Sequence, residues 1–203
     1  MTKPDPSRRL AVLISGSGRT MVNIVERCRS GDLDAEVAIV IASRPCAGVG
    51  RAHRLGVPVE IEPGGIGPER LAALAESHRF AWVALAGYLK MLEIPESLAG
   101  RVVNIHPALL PGDGSPGPFG GPGMYGHRVH EALIDAARQP GGPTESGCTV
   151  HFCDDRYDAG EVILQRRCPI LEADTPDSLA ARVFELELGA YPDALRIVLD
   201  RET

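Results

Sequence analysis

A repeated alternation limits the possible folds of this chain more than any other feature: short apolar, β-branched runs are followed by longer stretches with helical spacing. Segments 10–14, 36–41, 57–61, 80–86, 102–105, 149–152 and 162–164 read as strands. Between and after them, 21–29, 48–55, 68–78 and 129–137 carry helical patterns, and a long last helix runs over 176–199 behind the possible cap Thr175. Strands separated by helix-length segments return to one sheet through crossovers, which favours parallel pairing. The expected fold is therefore α/β: three layers, with a mostly parallel twisted sheet, helices on both faces and a Rossmann-like N-terminal half. Pro192 is expected to bend or break the last helix, because its ring removes a backbone donor.

Composition narrows the class. The 203 residues, 44% hydrophobic and 24% charged, suffice for one core, so a single domain over 1–203 is expected, with 1–9 as a polar tail. No apolar run approaches the roughly 20 residues of a membrane span, and LAVLISG is too short and too soon interrupted for a signal sequence. A cytoplasmic protein is expected. Five cysteines, at 28, 46, 148, 153 and 168, form no CxxC pair and no close Cys/His set, so the expectation is reduced packing residues and no metal. A net charge of −6 gives no general attraction to polyanions, which argues against nucleic acid as a partner. Any phosphate must be held by a local site.

One such site is offered by Ser15-Gly16-Ser17-Gly18-Arg19-Thr20, where the first strand passes into the first helix. Glycines let amides approach an anion, and the helix N-terminus favours its charge. Arg19 and Thr20 add a cation and a hydroxyl. The same turn also reads as a tight connection. A dinucleotide fingerprint would need glycine at Met21, and no acidic residue closes the second strand. Ser43-Arg44 stands there instead, which keeps an NADP-binding oxidoreductase as a distant competitor.

In RVVNIHPALLPG, residues 101–112, Asn104 and His106 lie two apart on a strand and project from one side, and Pro107 stops the strand. The carboxyl end of a parallel strand is where open α/β sheets place ligands. A polar pair satisfied by backbone is the alternative. Farther on, His151 precedes a carboxylate-rich turn with Asp154, Asp155 and Asp158. The Asp158-Ala159-Gly160 unit suits a carboxylate held near an imidazole, and it is also common turn chemistry. Two loops, 112–126 with seven Gly and three Pro, and 140–147, read as binding loops or plain insertions.

Taken in order, ISGSGRT, AGYLKML, NIHPALLP, SGCTVHF and YDAGEVILQ resemble the motifs of the phosphoribosylglycinamide formyltransferases, folate-dependent enzymes of purine synthesis, from about residue 10 to residue 192. The resemblance implies the formyltransferase fold and transfer of a formyl group from 10-formyltetrahydrofolate to the amine of glycinamide ribonucleotide. It implies a catalytic trio of Asn104, His106 and Asp158, with no metal and no covalent enzyme intermediate. Attack of an amine on a formyl carbon creates an oxyanion and a surplus proton, which call for a charge stabiliser and a proton route. The resemblance also assigns the substrate phosphate to Gly18, Arg19 and Thr20 and the ribose hydroxyls to Glu187. It places the folate ring beside Leu89, Lys90, Met91 and Leu92 and the loop holding Asp154 and Asp155.

Arg19-Thr20 stands where many members have Ser-Asn, and Lys90 where arginine is frequent. His127 and His130 receive no role. The expected partners are small molecules only, with neither nucleic acid nor membrane, and the expected state is a monomer or homodimer. Among rivals, a methionyl-tRNA formyltransferase is expected to carry a further C-terminal domain and a formyltetrahydrofolate hydrolase an N-terminal regulatory one. A formyltransferase for an amino sugar would keep the trio and change the amine pocket. A non-catalytic phosphate-binding module would explain the Gly-rich turn and leave NIHP and Asp-x-Gly unexplained.

Overall fold

A computed structural model describes residues 5–201. The elements are β1 (Arg9–Ile14), α1 (Arg19–Ser30), β2 (Glu36–Ala42), α2 (Ala47–Arg54), β3 (Val59–Ile61), α3 (Pro68–His78), β4 (Trp82–Leu85), β5 (Val102–His106), α4 (His127–Ala137), β6 (Glu145–Phe152), β7 (Val162–Pro169) and α5 (Pro176–Asp200). Strand order is β3-β2-β1-β4-β5-β6-β7, a mostly parallel seven-stranded sheet of an α/β fold. Of the expected polar tail, 1–4 lies outside the described residues, Pro6–Arg8 forms a 3-10 turn, and Arg9 already belongs to β1. The chain divides into two compact units, one running to Asn104 and resuming at Leu195, the other spanning Ile105–Ala194.

In the first unit β1 pairs in parallel with β2 and β4, β2 with β3, and β4 with β5. Leu10 to Ile14 are all fully buried, as are Ile39 to Ala42. That burial on both faces is why these strands read as unbroken apolar runs, the mark of a covered parallel sheet. The register pairs Leu13 with both Ile41 and Leu85, so the carboxyl ends of β1, β2 and β4 end level. Beyond that line Ser15 N donates to Gly87 O and Ser43 N to Ile14 O, both at 3.0 Å.

In the second unit β6 and β7 pair antiparallel from Glu145↔Pro169 to His151↔Val162. Both strands exceed their expected spans, 149–152 and 162–164, because each supplies the other's hydrogen-bond ladder where the sequence itself is polar. Residues 145–147, expected in a loop, are therefore strand. On α4 the buried residues Val129, His130, Leu133 and Ile134 follow the helical period. Ahead of α5, Thr175 Oγ1 accepts from Ser178 N at 3.2 Å and Ser178 Oγ from Thr175 N at 3.0 Å, a reciprocal cap. The buried Asp174 carboxylate takes two hydrogen bonds from Arg182, at 2.6 and 2.7 Å, and fixes this start.

Contrary to a break at Pro192, α5 is uninterrupted through that residue. Its neighbours Tyr191, Ala194 and Leu195 are fully buried. Packing on that scale offsets the roughly 3 kcal/mol that an interior proline costs a helix.

Candidate functional site

In the first unit the Gly-rich turn is organised by Ser15. Its hydroxyl pairs with Ser43 Oγ at 2.7 Å and accepts from Leu89 N at 2.9 Å, and its carbonyl accepts from Arg44 Nε at 2.8 Å. The ends of β1 and β2 and the segment after β4 are thereby tied at one point. Gly18 takes the left-handed conformation, φ 72°, and caps α1 with no side-chain bond, so the first helical amides have no side-chain acceptor from their cap. A Cβ on Gly18 would lie 2.7 Å from Gly48 Cα, so this close pass of α2 admits only glycine. Arg19 and Thr20 lie in the first turn of α1 rather than in the loop ahead of a helix beginning at Met21. The Nε–carbonyl bond holds Arg44 against the turn. A cavity of about 550 Å³ lined by Arg9, Glu36, His78 and Arg79 opens at the opposite, amino ends of β1 and β2.

The segment assigned to folate follows β4. Leu89 and Met91 are 42% and 38% exposed, Lys90 is exposed and Leu92 is buried. Two large apolar side chains thus face solvent within four residues of the bond to Ser15.

In the second unit three ionisable side chains meet. His106, at the end of β5, is 3% exposed; its Nε2 lies 2.6 Å from Phe119 O and its Nδ1 3.5 Å from Asp158 Oδ2. A carbonyl only accepts, so Nε2 carries the hydrogen and the neutral ring turns its bare Nδ1 to the carboxylate. His151, on β6, is 2% exposed; its Nδ1 donates to Phe152 O at 2.8 Å and its Nε2 lies 3.6 Å from Asp158 Oδ1. Gly121 N donates to Asp158 Oδ2 at 2.9 Å. Phe119 and Gly121 both belong to the Gly/Pro-rich loop, which thus supplies an acceptor to His106 and a donor to Asp158.

Local backbone explains the Asp-x-Gly turn. Asp158 has φ 50°, a left-handed conformation uncommon for a residue with a side chain. Gly160 passes so close to Phe152 O that a Cβ there would collide with it, and that carbonyl is the one receiving His151 Nδ1.

Burial holds the His106 pKa below its ordinary value; Asp158 and the Phe119 carbonyl push it up, and His151 pushes it down. The contribution of Asp158 favours the imidazolium, but burial outweighs it. For Asp158, burial raises the pKa, yet the bond to His151, the charge of His106 and the Gly121 amide prevail and leave it below the usual carboxylate range. At neutral pH the cluster is an anionic carboxylate between imidazoles, with His106 neutral.

The remaining expected residues are spread over both units. Asn104 is half-buried on β5, paired in register with Leu85. Asp154 caps its own turn, accepting from Arg156 N at 2.8 Å and Arg156 Nη2 at 2.7 Å, while Asp155 is exposed. Arg156 also donates to Gly114 O at 3.2 Å, a second tie to the Gly/Pro-rich loop. Glu187 is half-buried on α5, and after burial it is the next cause raising the Cys148 thiol to about 12. His127 faces Glu131 and Asp177 at the surface, and His130 is buried. Among the described residues, no group of three or more His, Cys, Asp or Glu is placed to hold a metal, and all five cysteines are unbridged. No described helix is long and apolar enough to cross a membrane.

Residues 8–195 match the family model described as formyl transferase. The chain is 32% identical over 207 residues to the chloroplastic phosphoribosylglycinamide formyltransferase of Arabidopsis thaliana, covering 97% of this chain and 67% of that protein. Against the phosphoribosylglycinamide formyltransferase of Haemophilus influenzae it is 33% identical over 200 residues, 91% of this chain and 84% of that protein. The crystal structure of glycinamide ribonucleotide transformylase 1 from Symbiobacterium toebii matches with a TM-score of 0.80 at 34% identity, covering 98% of this chain and 91% of that one. The chain spans 67% and 61% of the length of the Arabidopsis and Vigna unguiculata relatives.

Proposed function

Because this chain belongs to the formyl transferase family, we propose that it transfers the formyl group of 10-formyltetrahydrofolate to the amine of glycinamide ribonucleotide. The observation that carries the reading is the buried His106, held between the Phe119 carbonyl and the Asp158 carboxylate at the end of a sheet strand. In the transfer, the amine nitrogen bonds to the formyl carbon, the carbon's bond to the folate nitrogen breaks, and one proton moves from the amine to that nitrogen. Atoms and charge balance without an oxidant or a metal.

Each step asks something different of the protein. The tetrahedral intermediate places negative charge on the formyl oxygen, which needs a donor; the Asn104 amide is assigned to it, with the His106 ring joining once it has taken up a proton. The proton needs a carrier, and Asp158 is assigned to orient His106 or the water that moves it. The phosphate is assigned to the amides at Gly18, Arg19 and Thr20, where a helix N-terminus offers donors. Glu187 is assigned to the ribose hydroxyls. The folate ring is assigned to the exposed apolar pair Leu89 and Met91 with Lys90 and Leu92, and to the turn holding Asp154 and Asp155. The substrates are small molecules, and the working state is read as a cytoplasmic monomer or homodimer with no nucleic acid or membrane partner.

The second reading keeps the chemistry and changes the acceptor, an amino sugar nucleotide in place of the ribonucleotide. The test offers 10-formyltetrahydrofolate with each acceptor and follows the deformylated folate. Transfer to glycinamide ribonucleotide is expected, and transfer to the amino sugar alone would overturn the first reading.

A further inference from the structure

The trio leaves out one buried imidazole that touches it. Asp158 has two oxygens with different neighbours: Oδ2 takes the Gly121 amide at 2.9 Å and faces His106 at 3.5 Å, while Oδ1 faces His151 Nε2 at 3.6 Å. A carboxylate pivots about one bond, so whatever holds Oδ1 also sets where Oδ2 points. His151 suits that task because its ring is itself fixed. It is buried on β6, and its Nδ1 donates to Phe152 O at 2.8 Å, so Nε2 carries a hydrogen towards Oδ1 when the ring is protonated. That carbonyl is placed in turn by the close pass of Gly160, two residues after Asp158.

We propose that His151 is a positioning residue of the transfer reaction: from β6 it fixes the far oxygen of Asp158, so that the near oxygen stays turned to His106. The inference rests on the formyl-transfer reading for its kinetic part and on geometry alone for the rest. A second consequence concerns charge. Two imidazoles face one carboxylate, so a proton held on either one weakens the hold on a proton at the other. The ionisable groups around the pair are Asp158 between them, Asp154 near His151, Cys153 near Asp158 and Asp154, and His130 near His106. Asp158 favours a charged His106 and His151 opposes it, so removing each must move His106 in opposite directions.

Two variants separate positioning from packing. His151→Gln offers Oδ1 a donor without the charge of a protonated ring, whereas His151→Leu fills the space and offers none. His151→Leu is expected to lower kcat by on the order of tenfold, the low end of what losing a supporting partner costs, with the KM for glycinamide ribonucleotide little changed. His151→Gln is expected to recover much of that loss. Independently of turnover, NMR titration of the His106 ring in the resting protein should give a higher pKa in His151→Gln than in the unaltered chain, and a lower one in Asp158→Asn. If His151→Leu does not fold, the His151→Gln titration still decides. Equal kcat in both variants, or an unmoved His106 titration, would overturn the proposal. A chain that fails to transfer formyl groups yet shows the opposed shifts would sink the functional reading and leave the positioning intact.

Discussion

The turn at residues 15–18 and the turn at 158–160 each rest on a glycine where another stretch of chain passes too close for a side chain, Gly48 in the first case and the Phe152 carbonyl in the second. What they hold differs. The first is built from backbone amides and two serine hydroxyls, with Arg44 anchored to its carbonyl. Around the second gather a carboxylate and two buried imidazoles. A main-chain site keeps its donors whatever side chains surround it, so it suits binding and tolerates substitution. The side-chain cluster depends on residue identity, because each member's charge is set by the others.

The sharpest way to break this contrast is His106→Ala. Loss of the ring should lower kcat by on the order of a hundredfold or more while the affinity for the ribonucleotide stays within a few-fold. Steady-state kinetics beside a ribonucleotide titration read both. Collapsed affinity with near-normal saturated turnover would make the pair on β5 a binding element.

A smaller effect should appear with pH. Burial first, then the charges of His127 and His106, lowers the His130 pKa to about 4, from an ordinary value near 6.5. Its folded form stays neutral where its unfolded form takes up a proton, so the stability is present above pH ~6.5 and is lost as pH falls towards 4. Between pH 7 and pH 5 the loss is about 2 kcal/mol from this residue. Denaturant unfolding of the unaltered chain and of His130→Leu at both pH values should show the variant losing less by that amount. Equal losses would remove His130 from the account.

The smallest effect is expected at the other turn. Thr20→Ala should raise the KM for the ribonucleotide a few-fold, about 1 kcal/mol or less, and leave kcat unchanged, because the amides proposed to hold the phosphate remain. Gly18→Val is a poorer probe. The left-handed backbone and the pass of Gly48 mean that it also damages the packing of α1 on α2.

The contrast also explains what the sequence disclosed. β1, β2 and β5 were legible because strands covered on both faces need continuous apolar runs, and the Gly-rich turn because its conformation needs glycine. NIHP and Asp-x-Gly pointed to His106 and Asp158 by resemblance, and folding brings these two within 3.5 Å. The beginning of β6 and the end of β7 were not legible, because a ladder partner rather than side-chain pattern makes Glu145 to Gly147 and Gln165 to Pro169 strand. Nor were the contributions of Phe119 and Gly121, which act through a carbonyl and an amide that every residue of their kind possesses. His151 stood out as a polar residue in a strand, but its engagement with Asp158 depends on a turn that follows it by several residues. Pro192 does not break the helix, since its cost is local and the packing that offsets it is not.

Asp158→Asn tests most directly whether the Asp158 cluster performs the transfer, because it keeps the size of the side chain and removes its charge. Formyl transfer from 10-formyltetrahydrofolate to glycinamide ribonucleotide should be measured across pH at saturating substrate, with a melting curve and a ribonucleotide titration of the same sample. Without the carboxylate nothing orients His106 or the water that carries the proton, and turnover should drop by on the order of a hundredfold or more at every pH, with melting temperature and ribonucleotide affinity largely preserved. Turnover close to that of the unaltered chain, with an unchanged pH profile in a folded variant, would contradict it.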